Sequence, residues 1–191
     1  MEMTENRAEM AEELGYDISV LEDAINDMIP GLTNYVQDIN LQSEIAQMYQ
    51  PGQILREKAF VEASSRVMGM ATSHRFSILS NHMADFSAFE HGTNWGLHVA
   101  GTESHFLILD VFTYQEKTQI TLLHLLNDER WRLFANASFD MPGLTVEDIR
   151  ARFEAKCNAA VIPELDTDTW RERCDFPIGI SPEGSFWPLE A

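Results

Sequence analysis

Residues 105–126 read HFLILDVFTYQEKTQITLLHLL. Apolar side chains fill both parities from Phe106 to Leu109 and from Ile120 to Leu123, and the polar run Gln115-Glu116-Lys117 stands between them. Two such runs joined by a polar tip read as neighbouring antiparallel strands, and the missing alternation places them inside a sheet that is covered on both faces. Outward from this pair, period-two patterning recurs over Arg75–Asn81, Asn94–Ala100 and Arg130–Ala137, with short links at Gly101, Glu116 and Asn127-Asp128. The spacing predicts an antiparallel meander of four to five strands over residues 75–137.

Ahead of the sheet the apolar period is close to 3.6. Ser19 and Glu22 have capping-box spacing, and Ile18, Leu21, Ile25, Met28 and Ile29 recur at steps of three and four before the breaker Pro30-Gly31. Shorter helices are predicted over Leu32–Ile39 and Ser43–Tyr49. A longer one is predicted over Ile54–Ala71, where Leu55, Ala59, Ala63 and Val67 stand four apart. Beyond the sheet, Thr145 caps a helix to Ala160 that carries Val146, Ile149, Phe153 and Cys157 on one face, and the tail turns at Ser181-Pro182-Glu183-Gly184. The expected class is α+β: an N-terminal helical layer (residues 1–71), then the antiparallel meander sheet with a C-terminal helix and a docked tail (72–191), as one continuous unit.

Composition excludes several functions. The chain has 191 residues, 45% of them apolar, with 10 Gly and 7 Pro, which is outside the range of disordered sequences. Thirteen Lys and Arg against 31 Asp and Glu give a net charge of −18, a field that repels phosphate and argues against direct binding of nucleic acid or an anionic membrane. The negative charge is concentrated: residues 1–54 hold Glu2, Glu5, Glu9, Glu12, Glu13, Asp17, Glu22, Asp23, Asp27, Asp38 and Glu44 against the single base Arg7. No apolar run has the length of a membrane span, and the acidic start is unlike a signal peptide. Cys157 and Cys174 have neither disulfide-framework nor zinc spacing, so both read as reduced thiols and the expected location is cytoplasmic.

Motifs are few. Nucleotide-loop, nucleophile-elbow and Cys-x-x-Cys signatures are absent. Residues 44–58 have a helix-turn-helix outline, but the surrounding charge has the wrong sign for a DNA reader. All six histidines fall between His74 and His124, and the loop Asp85-Phe86-Ser87-Ala88-Phe89-Glu90-His91-Gly92 mixes aromatics with acids. Two functions follow as expectations. The first is a non-catalytic acidic protein, without cofactor, that uses Glu9, Glu12, Glu13, Asp17, Glu22, Asp23 and Asp27 to dock on a basic protein partner and block it, as inhibitors and nucleic-acid mimics do. The second is a metal-dependent hydrolase or small-molecule-binding domain with ligands drawn from His82, His98, His105, His124, Asp85 and Glu90.

Overall fold

The computed structural model of the chain describes residues 18–135 and 144–189. Helix α1 (Ile18–Met28) is followed by strand β1 (Thr33–Ile39), the one-turn helix α2 (Ser43–Ala46), β2 (Ile54–Glu57), β3 (Val61–Ser64) and β4 (His74–Ser80). Then come β5 (Ala84–Asp85), β6 (Leu97–Ala100), β7 (Ser104–Tyr114), β8 (Lys117–His124), a 3₁₀ segment (Glu129–Phe134), α3 (Val146–Cys157) and α4 (Asp168–Cys174).

The expected four-to-five-strand meander is corrected to a single eight-stranded mixed sheet in the order β2-β7-β8-β4-β1-β3-β6-β5. Its central pair β4·β8 is parallel, and the other pairings are antiparallel. The predicted β7–β8 hairpin is present, and its two-residue turn places Gln115 (φ 47) and Glu116 (φ 65) in the left-handed region, as a type I′ connection requires.

The N-terminal helical layer is corrected as well, since among its described residues only α1 and the short α2 are helical. Leu32–Ile39 forms β1, whose Thr, Tyr, Val and Ile suit a pleated strand and whose alternate residues Tyr35 and Ile39 enter one core. The stretch Ile54–Ala71 forms β2 and β3. Its four-residue spacing fits a helix on paper, yet Ala59 is exposed and Phe60 is 60% exposed, because the chain turns there and Glu57 accepts the Ala59 N–H at 2.8 Å. The predicted strand Arg130–Ala137 is the 3₁₀ segment up to Phe134, started by Asp128 accepting the Arg130 N–H at 2.9 Å.

This connectivity forces curvature. Only residues 58–60 separate β2 from β3, a reach of about 14 Å from Glu57 to Val61. In the sheet order the two strands are five positions apart, about 24 Å if the sheet were flat. The sheet therefore curls, bringing β2 toward β3 around a concave core that includes Tyr35, Leu55, Val61, Phe76, Ile78, Phe106, Ile120 and Leu122. The tail closes that core: the Tyr49 hydroxyl donates to the Ile178 carbonyl at 2.8 Å, and Gln37 donates to the carbonyls of Cys174 (2.9 Å) and Phe176 (3.0 Å). On the convex face α1 and the 3₁₀ segment cover Leu79, Leu107 and Leu123, while α3 packs Phe153 and Cys157 against Met70, Phe112 and Tyr114. Thr145 and Asp148 form a capping box at the start of α3. Among the described residues no helix is long and apolar enough to cross a membrane.

Candidate functional site

Between the two apolar patches of the convex face, the centre of the sheet is polar. Along β4 the residues facing outward are Arg75, Ser77 and Leu79, and their neighbours in register include Asp38 and Val36 on β1 and Gln119 and Thr121 on β8. Next to Thr121 on β7 stands Asp110, where a bulge between Ile108 and Asp110 shifts the register. Arg75 is 2% exposed, Ser77 2%, Thr121 1%, Asp110 4% and Gln119 5%. Burying a row of polar side chains in mid-sheet is costly unless each finds a partner, so the row points to a built site rather than ordinary core.

Its partners are specific. Arg75 is bidentate to Asp38 (2.6 and 2.8 Å) and donates to the Met68 carbonyl at 2.9 Å. The Ser77 hydroxyl donates to Asn34 Oδ1 at 2.8 Å. Asp110 receives a bidentate pair from Arg150 of α3 (2.9 and 2.7 Å), and the same guanidinium lies 5.0 Å from the Phe112 ring centre. This pair raises the pKa of Arg150 and ties α3 across the row.

A cavity of 150 Å³ remains between row and helix, lined by Asn34, Arg75, Ser77 and Gln119 below and by Ile149, Arg152, Phe153 and Lys156 above, with Val67, Leu79 and Leu144 at its margins. The roof residues are spaced i, i+3, i+4 and i+7, the stripe that an amphipathic helix turns to its support. Here Ile149 and Phe153 are buried in the usual way, and the other two places carry cations. Lys156 reaches the Val67 carbonyl only at 3.4 Å, and Arg152 lies one turn from Asp148, whose carboxylate interacts with it by charge and is hydrogen-bonded to Thr145. The lining thus contains three cationic side chains and no Asp or Glu, in a chain with 31 acids and 13 bases. A small cavity with donors on both walls and that charge is suited to an anion.

Two other hollows differ. One of 290 Å³ is acidic, lined by Asp38, Asp168, Glu172 and Asp175 with Arg171. The other, of 700 Å³, is an open groove beside β2 under Phe186, Trp187 and Leu189.

The residues singled out from sequence lie elsewhere. His82, His105 and His124 do gather, but as stacked rings: His82 on His124 at 4.0 Å, Phe106 on His124 at 4.8 Å, and His105 on Trp131 at 4.4 Å. The His124 ring lies between the Ser80 hydroxyl (3.0 Å) and the Ser104 hydroxyl (3.2 Å), and burial with the neighbouring His82 and His105 lowers its pKa to about 3. His98 stacks on Tyr35 at 4.6 Å and faces Asp85 in the β5·β6 register, while Asp85 accepts the Ser87 N–H at 2.8 Å. The buried Glu90 accepts the N–H groups of Trp95 and Leu97, so its carboxylate ties the loop that follows. Among the described residues no three His, Cys, Asp or Glu side chains form a group able to hold a metal. Cys157 and Cys174 are buried, and burial pushes the Cys174 thiol pKa up, away from nucleophilic use. Glu9, Glu12, Glu13 and Asp17 lie outside the described residues; Glu22 and Asp23 are exposed on α1, and Asp27 pairs with Arg130 at 2.8 Å.

Sequence reasoning missed Arg75, Arg152 and Lys156. The signal was in the alternation: Arg75 and Ser77 fall on one parity of β4 against Phe76 and Ile78 on the other, and Gln119 and Thr121 repeat this on β8.

No protein-family model and no curated protein matches the chain. Solved structures with a similar path include the ADP-ribosyltransferase HopU1 of Pseudomonas syringae pv. Tomato DC3000, with TM-score 0.44 and 19% identity over 49% of this chain and 45% of that one. Exoenzyme S from Pseudomonas aeruginosa, bound to carba-NAD, has TM-score 0.44 and 10% identity over 64% and 57%. Vis, an ADP-ribosyltransferase from Vibrio splendidus, has TM-score 0.40 and 13% identity over 50% and 49%. The chain thus spans about half the length of these proteins. The expectation of a non-catalytic acidic inhibitor or nucleic-acid mimic is corrected. The acidic segment is built into the sheet from Thr33 onward, and its carboxylates Asp27 and Asp38 are engaged by Arg130 and Arg75.

Proposed function

We propose that this chain is an enzyme of small-molecule type that holds a phosphorylated ligand by its anionic group in the cavity beneath α3. The observation that carries the reading is the cavity lining: Arg75, Arg152 and Lys156 with Asn34, Ser77 and Gln119, and no acid. At 150 Å³ the cavity is smaller than the roughly 300 Å³ that encloses a whole drug-sized ligand, so it takes one end of the ligand and leaves the rest outside. Arg75 is pinned by Asp38 and sets the floor, while Arg152 and Lys156 close from the helix. Charge-assisted bonds from two directions would orient the bound group. The negative field of the remaining surface disfavours polyanions such as nucleic acid while leaving this one basic hollow. The two buried free thiols suit a reducing compartment, and the proposed location is cytoplasmic.

The test is calorimetric titration of the full chain with phosphorylated small molecules, and NAD is the nucleotide to include because exoenzyme S, a structure of similar path, is bound to carba-NAD. Binding that weakens about tenfold or more in Arg152→Gln and Lys156→Gln, with an unchanged circular dichroism spectrum, is the expected result. Equal affinity in wild type and both variants would remove the cavity from the function. Release of nicotinamide from NAD, and transfer of the remainder to added protein, is the reaction to assay with the same variants.

A further inference from the structure

The balance of charge inside the cavity carries the reading one step further. Arg75 and Asp38 form a two-bond pair at 2.6 and 2.8 Å, so the charge of the floor is cancelled within the protein. Arg150, the third cation of α3, is cancelled in the same way by Asp110 at 2.9 and 2.7 Å. Arg152 and Lys156 remain, both exposed residues on the cavity side of α3 and neither held in a two-bond pair; the acid beside Arg152, Asp148, interacts with it by charge while its carboxylate is bonded to Thr145. They stand over neutral hydrogen-bonding groups from Asn34, Ser77 and Gln119. A site whose two cations are not locked in bidentate pairs is matched in charge by a group with two negative charges. The apolar margin of Val67, Leu79, Leu144, Ile149 and Phe153 leaves a dry wall beside that group.

We infer that the cavity selects a doubly charged phosphoryl group over singly charged anions of the same shape. This rests on the reading of the cavity as an anion site and specifies its ligand class. The chemistry is shared by a terminal phosphate monoester and by the pyrophosphate of a dinucleotide, and the two sources differ in how they titrate. A monoester takes up its second proton near pH 6, whereas a bridging pyrophosphate keeps both charges through that range. The charged groups facing the cavity from β1, β4, β7 and α3 are Asp38, Arg75, Asp110, Arg150, Arg152 and Lys156, with Asp148 on the first turn of α3, and no histidine is among them.

The experiment uses the full chain and three probes at low salt: phenyl phosphate, benzenesulfonate and NAD, each titrated at pH 5.0 and 7.5. At pH 5.0 only about a tenth of phenyl phosphate is dianionic, so its affinity should rise about tenfold on going to pH 7.5. Benzenesulfonate, one charge at both values, should bind weakly and without change. The rise for phenyl phosphate should shrink in Arg152→Gln, which leaves Lys156 as the one helix cation over the cavity. Phenyl phosphate and benzenesulfonate binding equally at pH 7.5 would overturn the inference while leaving an anion site in place. Failure of all three probes at both values would overturn the anion site itself. Binding of NAD alone, unchanged between the two values, would support the two-charge selection and assign its source to a pyrophosphate.

Discussion

His124 sits 1% exposed between two serine hydroxyls and stacked on the His82 and Phe106 rings, and it is neutral there. Its folded-state pKa lies near 3 and its unfolded value near 6.5, so on acidification the unfolded chain takes the proton first. The stabilising contribution is complete above about pH 6.5 and is lost as pH falls from there toward 3, at about 1.4 kcal/mol per pH unit. Chemical denaturation at pH 7 and pH 4.5 should show this slope in the wild type and a shallower one in His124→Gln. Arg75 makes a second prediction. With its guanidinium 2% exposed and both Asp38 oxygens bonded to it, Asp38→Asn leaves a buried charge without its counter-ion. The expected loss is roughly 3 kcal/mol in urea unfolding, larger than any change for the exposed pair Arg171–Asp168 at 3.9 Å.

At the scale of elements, α3 is held by three different forces: apolar burial of Ile149, Phe153 and Cys157, the Arg150–Asp110 pair, and the capping box at Thr145. Thr145→Ala removes the side-chain acceptor of the Asp148 N–H, bonded at 3.1 Å, and should cost about 1 kcal/mol in thermal or denaturant unfolding. The end of α3 packs closely on the β3–β4 connection. A methyl group added at Gly69 would stand 1.9 Å from the Ala159 carbonyl oxygen, and the Gly69 N–H bonds to the Ala160 carbonyl at 3.3 Å. Gly69→Ala therefore must push the chain after α3 away from the sheet, and a drop in melting temperature of several degrees is expected, together with weaker anion binding because Arg152 and Lys156 move with the helix. Among the elements read from sequence, α1, α3 and the β7–β8 hairpin needed no partner to be recognised. Each carries its own start or stop signal: Pro30-Gly31, Thr145 with Asp148, and Gln115-Glu116. The segment Ile54–Ala71 has no such internal signal, and its strands exist because β7 and β6 offer them edges.

For the molecule as a whole, the curl of the sheet makes one cooperative body out of segments far apart in the chain. Residues 33–64 supply strands at three places in the order β2-β7-β8-β4-β1-β3-β6-β5, and the tail at Gln37 and Tyr49 ties on from beyond position 170. A separate helical layer over residues 1–71 would unfold on its own. In the structure, removing those residues removes β1, β2 and β3 from the sheet. Far-UV and near-UV circular dichroism are therefore expected to report a single coincident thermal transition, and two resolved transitions would refute one shared core.

By itself the sequence determined the central hairpin, the helix capped by Thr145, the apolar docked tail and the excess of negative charge, because each depends on neighbours within about a dozen positions. Strand order, the parallel β4·β8 pair and the cavity came only with tertiary structure. Arg75, Arg152 and Lys156 are separated by up to 81 positions and meet because the curled sheet brings β4 under α3. Local patterning carries no record of such a meeting. Apolar periodicity reports which face of an element is buried, and the identity of what buries it is settled by packing across the whole chain.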